Sequence, residues 1–184
     1  MDVIAKKTLW NYAGTAGLGM GLISTASMFA GQYLSTLSLS GFLTVLIGLI
    51  LWALETGGCI WLMWIFMKKF AAACESADNS ATFRMGMATA FLSALVYSAA
   101  SFANLAFISV DFYTEQYQTL MQQMAPMMDS NSKDMLAKML DYMPQITFFS
   151  NLIYCFFFGT IVSAALSRGI PSRDPFADYR QDEQ

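Results

Sequence analysis

The sequence GFLTVLIGLILWALETGGCIWLMWIFM, residues 41–67, contains a single charged side chain, that of Glu55. A helix rises 1.5 Å per residue, so about 20 apolar residues cross a hydrocarbon core roughly 30 Å thick. Inside lipid an open strand leaves its backbone groups unpaired, whereas a helix satisfies its own. The length and composition of this segment therefore predict a transmembrane helix.

Three further segments are long enough to cross the membrane and carry no charge: 12–34, 86–110 and 145–166. The first follows two lysines and could be a signal peptide, but its apolar run exceeds the roughly 7–15 residues of a typical signal core. We predict an all-α polytopic membrane protein with four transmembrane helices in a domain of residues 1–168. Residues 169–184, with two prolines and many charges, are predicted to form a flexible cytoplasmic tail.

The composition of the whole chain agrees with a membrane protein and excludes several kinds of active site. Of the 184 residues, 56% are hydrophobic and 12% are charged, whereas a soluble domain usually has about 25% charged residues. The chain has no histidine, which excludes Ser-His and Cys-His catalysis and HExxH metal sites. Cys59, Cys74 and Cys155 form no CxxC pair. We expect no enzymatic activity, no cofactor and no metal site.

Lysines and arginines are unevenly divided between the two sides of the predicted membrane domain. One side has eight of them: Lys6, Lys7, Lys68, Lys69, Arg84, Arg168, Arg173 and Arg180. The other side has Lys133 and Lys138, outnumbered by five acidic residues. Because cytoplasmic segments carry the excess of basic residues, both termini are predicted to be cytoplasmic. No basic stretch is dense enough to indicate nucleic-acid binding.

Residues 111–144, between the third and fourth spans, form the largest segment outside the predicted membrane. Apolar residues recur there at steps of three and four: Tyr113, Tyr117, Leu120, Met121, Met124 and Met128, then Met135, Leu136, Met139, Leu140 and Met143. This period predicts an extracytoplasmic hairpin of two amphipathic helices. Pro126 is expected to end the first helix. Asn131 and Asp134 resemble a capping box for the second.

The hairpin holds seven of the fourteen methionines, several of them in MQQMAPMM, residues 121–128. Thioethers are soft ligands, so a Cu(I) site is one interpretation. The other is that flexible methionines fill an apolar helix face. No cysteine or histidine lies nearby to help hold a metal, and the methionines occupy the positions that packing requires. We therefore favour packing or contact with a partner protein.

Glu55 is the most informative single residue, because it lies near the middle of the second span. An ionised carboxylate at that depth costs roughly 3 kcal/mol or more, so it is usually paired, protonated or in contact with water. It is either a proton or cation site, or a protonated carboxyl group that joins helices through hydrogen bonds. Counting depth from the helix ends places Thr25 and Tyr97 near its level. Asn104 and Asn151 share a level closer to the outer face.

Small residues predict where helices approach each other closely. Gly17 and Gly21 form a GxxxG pair in the first span, and Gly48 and Gly58 share a helix face with Glu55. Rows of small residues allow close helix contact in membranes. We expect the GxxxG pair to pack within the bundle, with a seam between two copies of the chain as the alternative. Glu55 is expected to point into the bundle.

Two segments carry a family resemblance: WLMWIFMKKF at residues 61–70, and ATFRMGMATAFLSALV at residues 81–96. With the four spans and the methionine-rich hairpin, they make the chain similar to the bacterial membrane family called domain of unknown function 4199. In that family an aromatic residue and a glycine introduce the third helix, as Phe83 and Gly86 do here. The resemblance covers about residues 8–168. It implies a bacterial inner-membrane protein with no established activity and no defined catalytic residue.

These observations favour a non-enzymatic scaffold or accessory subunit of a membrane complex, which would contact its partner through the hairpin or the tail. The alternative is a small transporter or channel component that uses Glu55, in the form of a homo-oligomer. Replacing Glu55 by glutamine separates the two functions. A structural carboxyl group tolerates glutamine, whereas a transport carboxylate does not.

Overall fold

The computed structural model describes residues 3–37, 40–74, 78–124 and 141–170, together with Asp129, Met135, Lys138 and Met139. The described residues form five α-helices, one π-helical segment and no strand, which confirms the all-α class. The elements are α1 (Val3–Thr36), α2 (Gly41–Ala73), α3 (Asn79–Ala103), the π segment (Asn104–Ile108), α4 (Val110–Met124) and α5 (Met143–Arg168). Most of the second helix of the predicted hairpin, Pro126, the Asn131–Asp134 cap and most of the tail lie outside the described residues.

The four long helices form a bundle around α3. This helix packs along most of its length against α5 and against α1, while α2 packs mainly on α1. Few contacts join α2 to α3, and fewer still join it to α5. A gap therefore remains between α2 and α5.

Small residues allow the two closest helix contacts. A Cβ atom added to Gly21 of α1 would lie 2.6 Å from the Cβ atom of Val96 on α3, and Gly17 lies one turn away in an equally tight place. Between α3 and α5, a Cβ atom at Gly159 would lie 2.6 Å from that of Ala90. Because van der Waals packing is the main force between helices in lipid, these seams hold the bundle together.

Gly48 and Gly58 do not bring a neighbouring helix close. Nothing lies within 4 Å of the position that a Cβ atom would take at either residue. For Gly48 the reason is the position of the first half of α2, which packs little against the other helices. Phe42 and Val45, for example, are 77% and 70% exposed.

The apolar core lies at the end of the bundle where α1 begins and α5 ends, which we call the terminal end. Large side chains from all four long helices meet there: Leu9, Met63, Met67, Phe70, Met85, Leu166 and Ile170. We call the opposite end, where α1 ends and α5 begins, the distal end.

Helices α2 and α3 follow each other closely in the chain, since α2 ends at Ala73 and Asp78 caps α3. Helix α2 continues beyond the predicted membrane span, which ends at Met67. Asp78 caps α3, and its carboxylate accepts a 2.6 Å hydrogen bond from the amide of Ala81. Such a cap satisfies one of the free amides at a helix start, which explains why α3 begins seven residues before its predicted apolar span.

Three helical stretches of the described residues are long and apolar enough to cross a membrane: α2, the run Asn79–Ile108 and α5. Their mean hydropathies are 1.9, 1.7 and 1.7, and none of the most apolar window of α2 is buried inside the bundle. So much outward-facing apolar surface is typical of a membrane protein. Helix α1 has 34 residues but many glycines, serines and threonines, and it is not among the three. Its crossing of the membrane stays a prediction.

Candidate functional site

A cavity of about 310 Å³ lies between the four long helices, on the side where α2 and α5 stand apart. Its walls are stripes at helical spacing: Met20 and Ser24 of α1; Trp52, Glu55, Thr56, Cys59, Ile60 and Met63 of α2; Ala90, Ser93 and Tyr97 of α3; Asn151, Tyr154, Cys155, Phe158, Gly159 and Val162 of α5. Residues three and four apart share a helix face, so each helix presents one face to the cavity.

Glu55 is the only acidic residue among the described residues that line the cavity, and no lysine or arginine lines it. The side chain of Glu55 is half-buried. Within the described part of the chain, no side chain donates a hydrogen bond to its carboxyl group and no cation pairs with it. A carboxylate without a partner in an apolar cavity can take up a proton or a cation, because either one reduces the cost of its charge.

The structure brings three of the five polar site candidates to one cavity. Tyr97 from α3 and Asn151 from α5 line the cavity together with Glu55. Thr25 does not line the cavity. Its hydroxyl group donates a 2.8 Å hydrogen bond to the carbonyl oxygen of Gly21 within α1. Asn104 lies in a separate polar cluster at the distal end.

Sequence reasoning missed other polar and aromatic residues of the cavity. Trp52 and Cys59 lie three and four residues from Glu55, so the helical period alone places them on its face. Ser24 is a second case, and its Oγ atom lies 3.9 Å from the Sγ atom of Cys59. Nothing in the sequence of α5 marks Tyr154 as lining the same cavity as Glu55, because this placement depends on how the helices rotate against each other.

The cluster around Asn104 joins three elements at the distal end. Asn104 is fully buried. Its Nδ2 atom donates hydrogen bonds to Oε1 of Gln32 on α1 (3.1 Å) and to the Tyr113 hydroxyl group on α4 (3.2 Å). Its Oδ1 atom accepts one from the Ser109 hydroxyl group (2.8 Å). Both donors of the amide and one lone pair of its oxygen are therefore used.

Asn104 also begins the π segment. The amide of Ser109 donates a 2.8 Å hydrogen bond to the carbonyl oxygen of Asn104, which is the i to i+5 pattern of a π turn. Burial raises the pKa of the Tyr113 phenol, and the hydrogen bond from Asn104 opposes that shift. The phenol is therefore neutral at physiological pH, and α4 is attached to the bundle through neutral hydrogen bonds.

The methionine-rich hairpin is described only in part. Among the described residues no group of three histidine, cysteine, aspartate or glutamate side chains could hold a metal ion. Helix α4 has no buried residue, and its Leu120 and Met124 are 48% and 42% exposed. Copper binding by thioethers alone is the interpretation that the sequence disfavours, and those four ligand types do not test it. Packing of the methionines, or contact of the hairpin with a partner, stays the prediction.

The apolar helices and the apolar surface that they turn outward are those of a helical membrane protein. Comparison with protein families narrows the class of protein further. The chain belongs to the family described as protein of unknown function (DUF4199), whose model matches residues 15–168. This match confirms the resemblance found in the sequence. No curated protein and no solved structure matches the chain.

Proposed function

We propose that this chain is a four-span protein of the bacterial inner membrane with both termini in the cytoplasm. We propose further that it is a non-enzymatic transporter or channel component in which Glu55 takes up a proton or a cation inside the bilayer. Two sets of observations support the proposal. One is the distribution of charge at the bundle ends, and the other is the position of Glu55.

The charges support the proposed orientation. At the terminal end the described basic residues are Lys7, Lys68, Lys69, Arg84 and Arg168, and at the distal end Lys138 accompanies four acidic residues. The ammonium group of Lys68 lies 3.9 Å from the ring centroid of Trp64, an arrangement suited to a membrane–water interface. Helix α1 is about 50 Å long at 1.5 Å per residue, which exceeds the hydrocarbon thickness.

Cysteine labelling of intact cells tests this topology. In a background without native cysteines, Gln116→Cys on α4 is expected to react with a membrane-impermeant maleimide, and Ala72→Cys at the end of α2 only after lysis. Both side chains are exposed and neutral, so the substitutions leave the charge balance unchanged. An N-terminal tag is expected to resist external protease, because α1 crosses the membrane. Labelling of Ala72→Cys in intact cells, or cleavage of the tag, would contradict the topology.

The observation that carries the function is the position of Glu55. A carboxyl group that served only to join helices would be hydrogen-bonded to a neighbouring helix, since leaving it unpaired gains nothing. Glu55 instead lines an internal cavity and has no hydrogen-bond partner among the described residues. The other titratable groups of the cavity are Tyr97, Tyr154, Cys59 and Cys155. At neutral pH their usual forms are uncharged, so none competes as a charged site.

A flux assay with purified protein tests the role of Glu55. In vesicles that contain a pH-sensitive dye, the wild-type chain is expected to admit protons under an imposed potential at least roughly tenfold faster than Glu55→Gln, because glutamine cannot carry a proton. Glu115→Gln is the matched control, since Glu115 is an exposed carboxylate on α4. Equal flux through wild type and Glu55→Gln, measured for protons and again for potassium ions with a potassium-sensitive dye, would refute the proposal.

Equal flux through wild type and Glu55→Gln would favour the second candidate. This candidate is a non-enzymatic accessory subunit that uses Glu55 only as a structural group. The amphipathic face of α4 supports this candidate, because no residue of α4 is buried by the part of the chain that the structure describes, and an exposed apolar face suits contact with another protein. Under this function Glu55→Gln would leave the chain folded and fully active in its complex.

A further inference from the structure

We propose that the ligand of the Glu55 cavity is a lipophilic organic ammonium ion that enters sideways from the bilayer, between α2 and α5. This inference rests on the proposed function and adds the chemical class of the ligand and its route. Three features of the cavity carry it: the lining chemistry, the aromatic rings in its walls, and the gap itself.

The lining favours an organic cation over a metal ion. Calcium and magnesium ions take six or more oxygen ligands, usually from several carboxylates and carbonyl groups. The cavity offers one carboxylate, Glu55, in a wall that is mainly apolar. A volume of about 310 Å³ lies at the small end of the usual range for ligand pockets, which starts at roughly 300 Å³. One negative charge in an apolar space of this size matches one positive charge on an apolar body.

Aromatic rings from both α2 and α5 line the same cavity as the carboxyl group. Trp52 of α2 lies one turn from Glu55, and Tyr154 and Phe158 of α5 line the opposite wall. The rings of Tyr154 and Phe158 are stacked, with centroids 6.4 Å apart and planes 13° from parallel. Aromatic faces attract cations, and cages of such rings are a recurrent way to bind quaternary ammonium groups.

The gap between α2 and α5 gives the cavity a route to the space that lipid occupies. Helices α2 and α5 hardly touch. Trp52 of α2 and Tyr154 of α5 line the cavity and are 66% and 70% exposed, whereas Glu55 is half-buried. A ligand with an apolar body concentrates in the bilayer, so it reaches Glu55 through this gap without crossing the terminal or distal end.

Equilibrium dialysis against the purified protein in an uncharged detergent tests the charge requirement. The probes are benzyltrimethylammonium and benzyl alcohol, which share a benzyl group and differ in charge, with protein-free micelles as the blank. The wild-type chain is expected to bind the ammonium probe at least roughly tenfold more tightly, because only that probe can pair with the carboxylate. Equal binding of the two probes by the wild-type chain would overturn the inference, whatever the behaviour of any variant.

Variants then locate the bound probe. Glu55→Gln is expected to weaken ammonium binding on the order of tenfold or more, and Trp52→Leu and Tyr154→Leu about 3- to 30-fold each through the lost cation–π contact. Phe42→Leu is the matched control, because Phe42 is an exposed aromatic residue of α2 outside the cavity. Elution volume and helix content establish that each variant is folded. Losses no greater than that of Phe42→Leu would place the probe elsewhere and overturn the inference.

The flux assay tests the proposed function and the binding assay tests the ligand class, so either proposal can be refuted without the other. If proton flux depends on Glu55 but the ammonium probe binds no better than benzyl alcohol, the ligand class is wrong and the proposed function stands. If the ammonium probe binds through Glu55 and Trp52 but Glu55 carries no flux, the site is right and the transport function is wrong.

Discussion

Gly21→Leu is expected to separate α1 from α3 and to lower the free energy of unfolding by about 3 kcal/mol or more. The new side chain would meet the Cβ and Cγ1 atoms of Val96 at 2.6 and 2.7 Å and the carbonyl oxygen of Ser93 at 3.1 Å. A β-branched side chain and a backbone atom cannot move aside cheaply. Unfolding in dodecyl sulfate, followed by circular dichroism, measures the loss.

Gly31→Leu is the matched control for this change. Gly31 lies on the same helix, and nothing occupies the space within 4 Å of its Cβ position. Its replacement is therefore expected to be neutral or slightly stabilising, since glycine is a poor helix former. The pair Gly21→Ala and Val96→Gly adds a second check, because shortening Val96 should recover much of the stability lost with alanine at position 21. If Gly21→Leu and Gly31→Leu unfold alike, α1 does not pack against α3 through this glycine.

Asn104→Leu is expected to release α4 from the bundle and to cost about 2–4 kcal/mol of unfolding free energy. The change removes three side-chain hydrogen bonds at once, those with Gln32, Ser109 and Tyr113. Each net bond contributes about 1 kcal/mol, and a buried polar group left without a partner adds a penalty of similar size. Hydrogen exchange of the α4 amides is expected to accelerate by roughly tenfold, which corresponds to about 1.4 kcal/mol of local stability.

Gln118→Leu provides the comparison for Asn104→Leu, because it is also an amide-to-leucine change but lies at an exposed position of α4. It is expected to leave amide exchange and stability close to those of the wild-type chain. Unchanged exchange of α4 in Asn104→Leu would show that the Asn104 cluster does not hold this helix in place. Loss of the π segment alone is not expected to slow the exchange of the α4 amides. The direction of the change in exchange rate is therefore informative as well as its size.

The helical class could be predicted because the membrane environment acts on each segment separately. A long apolar run has to satisfy its own backbone in lipid, whatever its neighbours are. Residues 41–67 and 145–166 therefore fall inside α2 and α5, whose bounds are Gly41–Ala73 and Met143–Arg168. The helix ends were less predictable, since α3 is extended by the Asp78 cap and not by apolar residues.

The rotation of the candidate-site residues could not be predicted. Counting along the helices placed Tyr97 and Thr25 near the level of Glu55, and the structure turns Tyr97 but not Thr25 toward the cavity that Glu55 lines. Gly48 and Gly58 show the same limit. They share a helix face with Glu55, but no described atom lies within 4 Å of the Cβ position of either residue. Hydropathy contains no information about rotation, because a bilayer is the same on every side of a helix.

The sequence alone was sufficient for the all-helical membrane class, the family, the acidic residue inside a span and the GxxxG motif of α1. Each is a property of one continuous segment, and lipid acts on such a segment through hydrophobicity and backbone hydrogen bonding. The partner of that motif, the aromatic residues around Glu55 and the Asn104 cluster depended on the folded bundle. They result from many small packing and polar contacts between distant segments. Such contacts form only when the helices pack together, because packing fixes which helices are neighbours and how each is rotated.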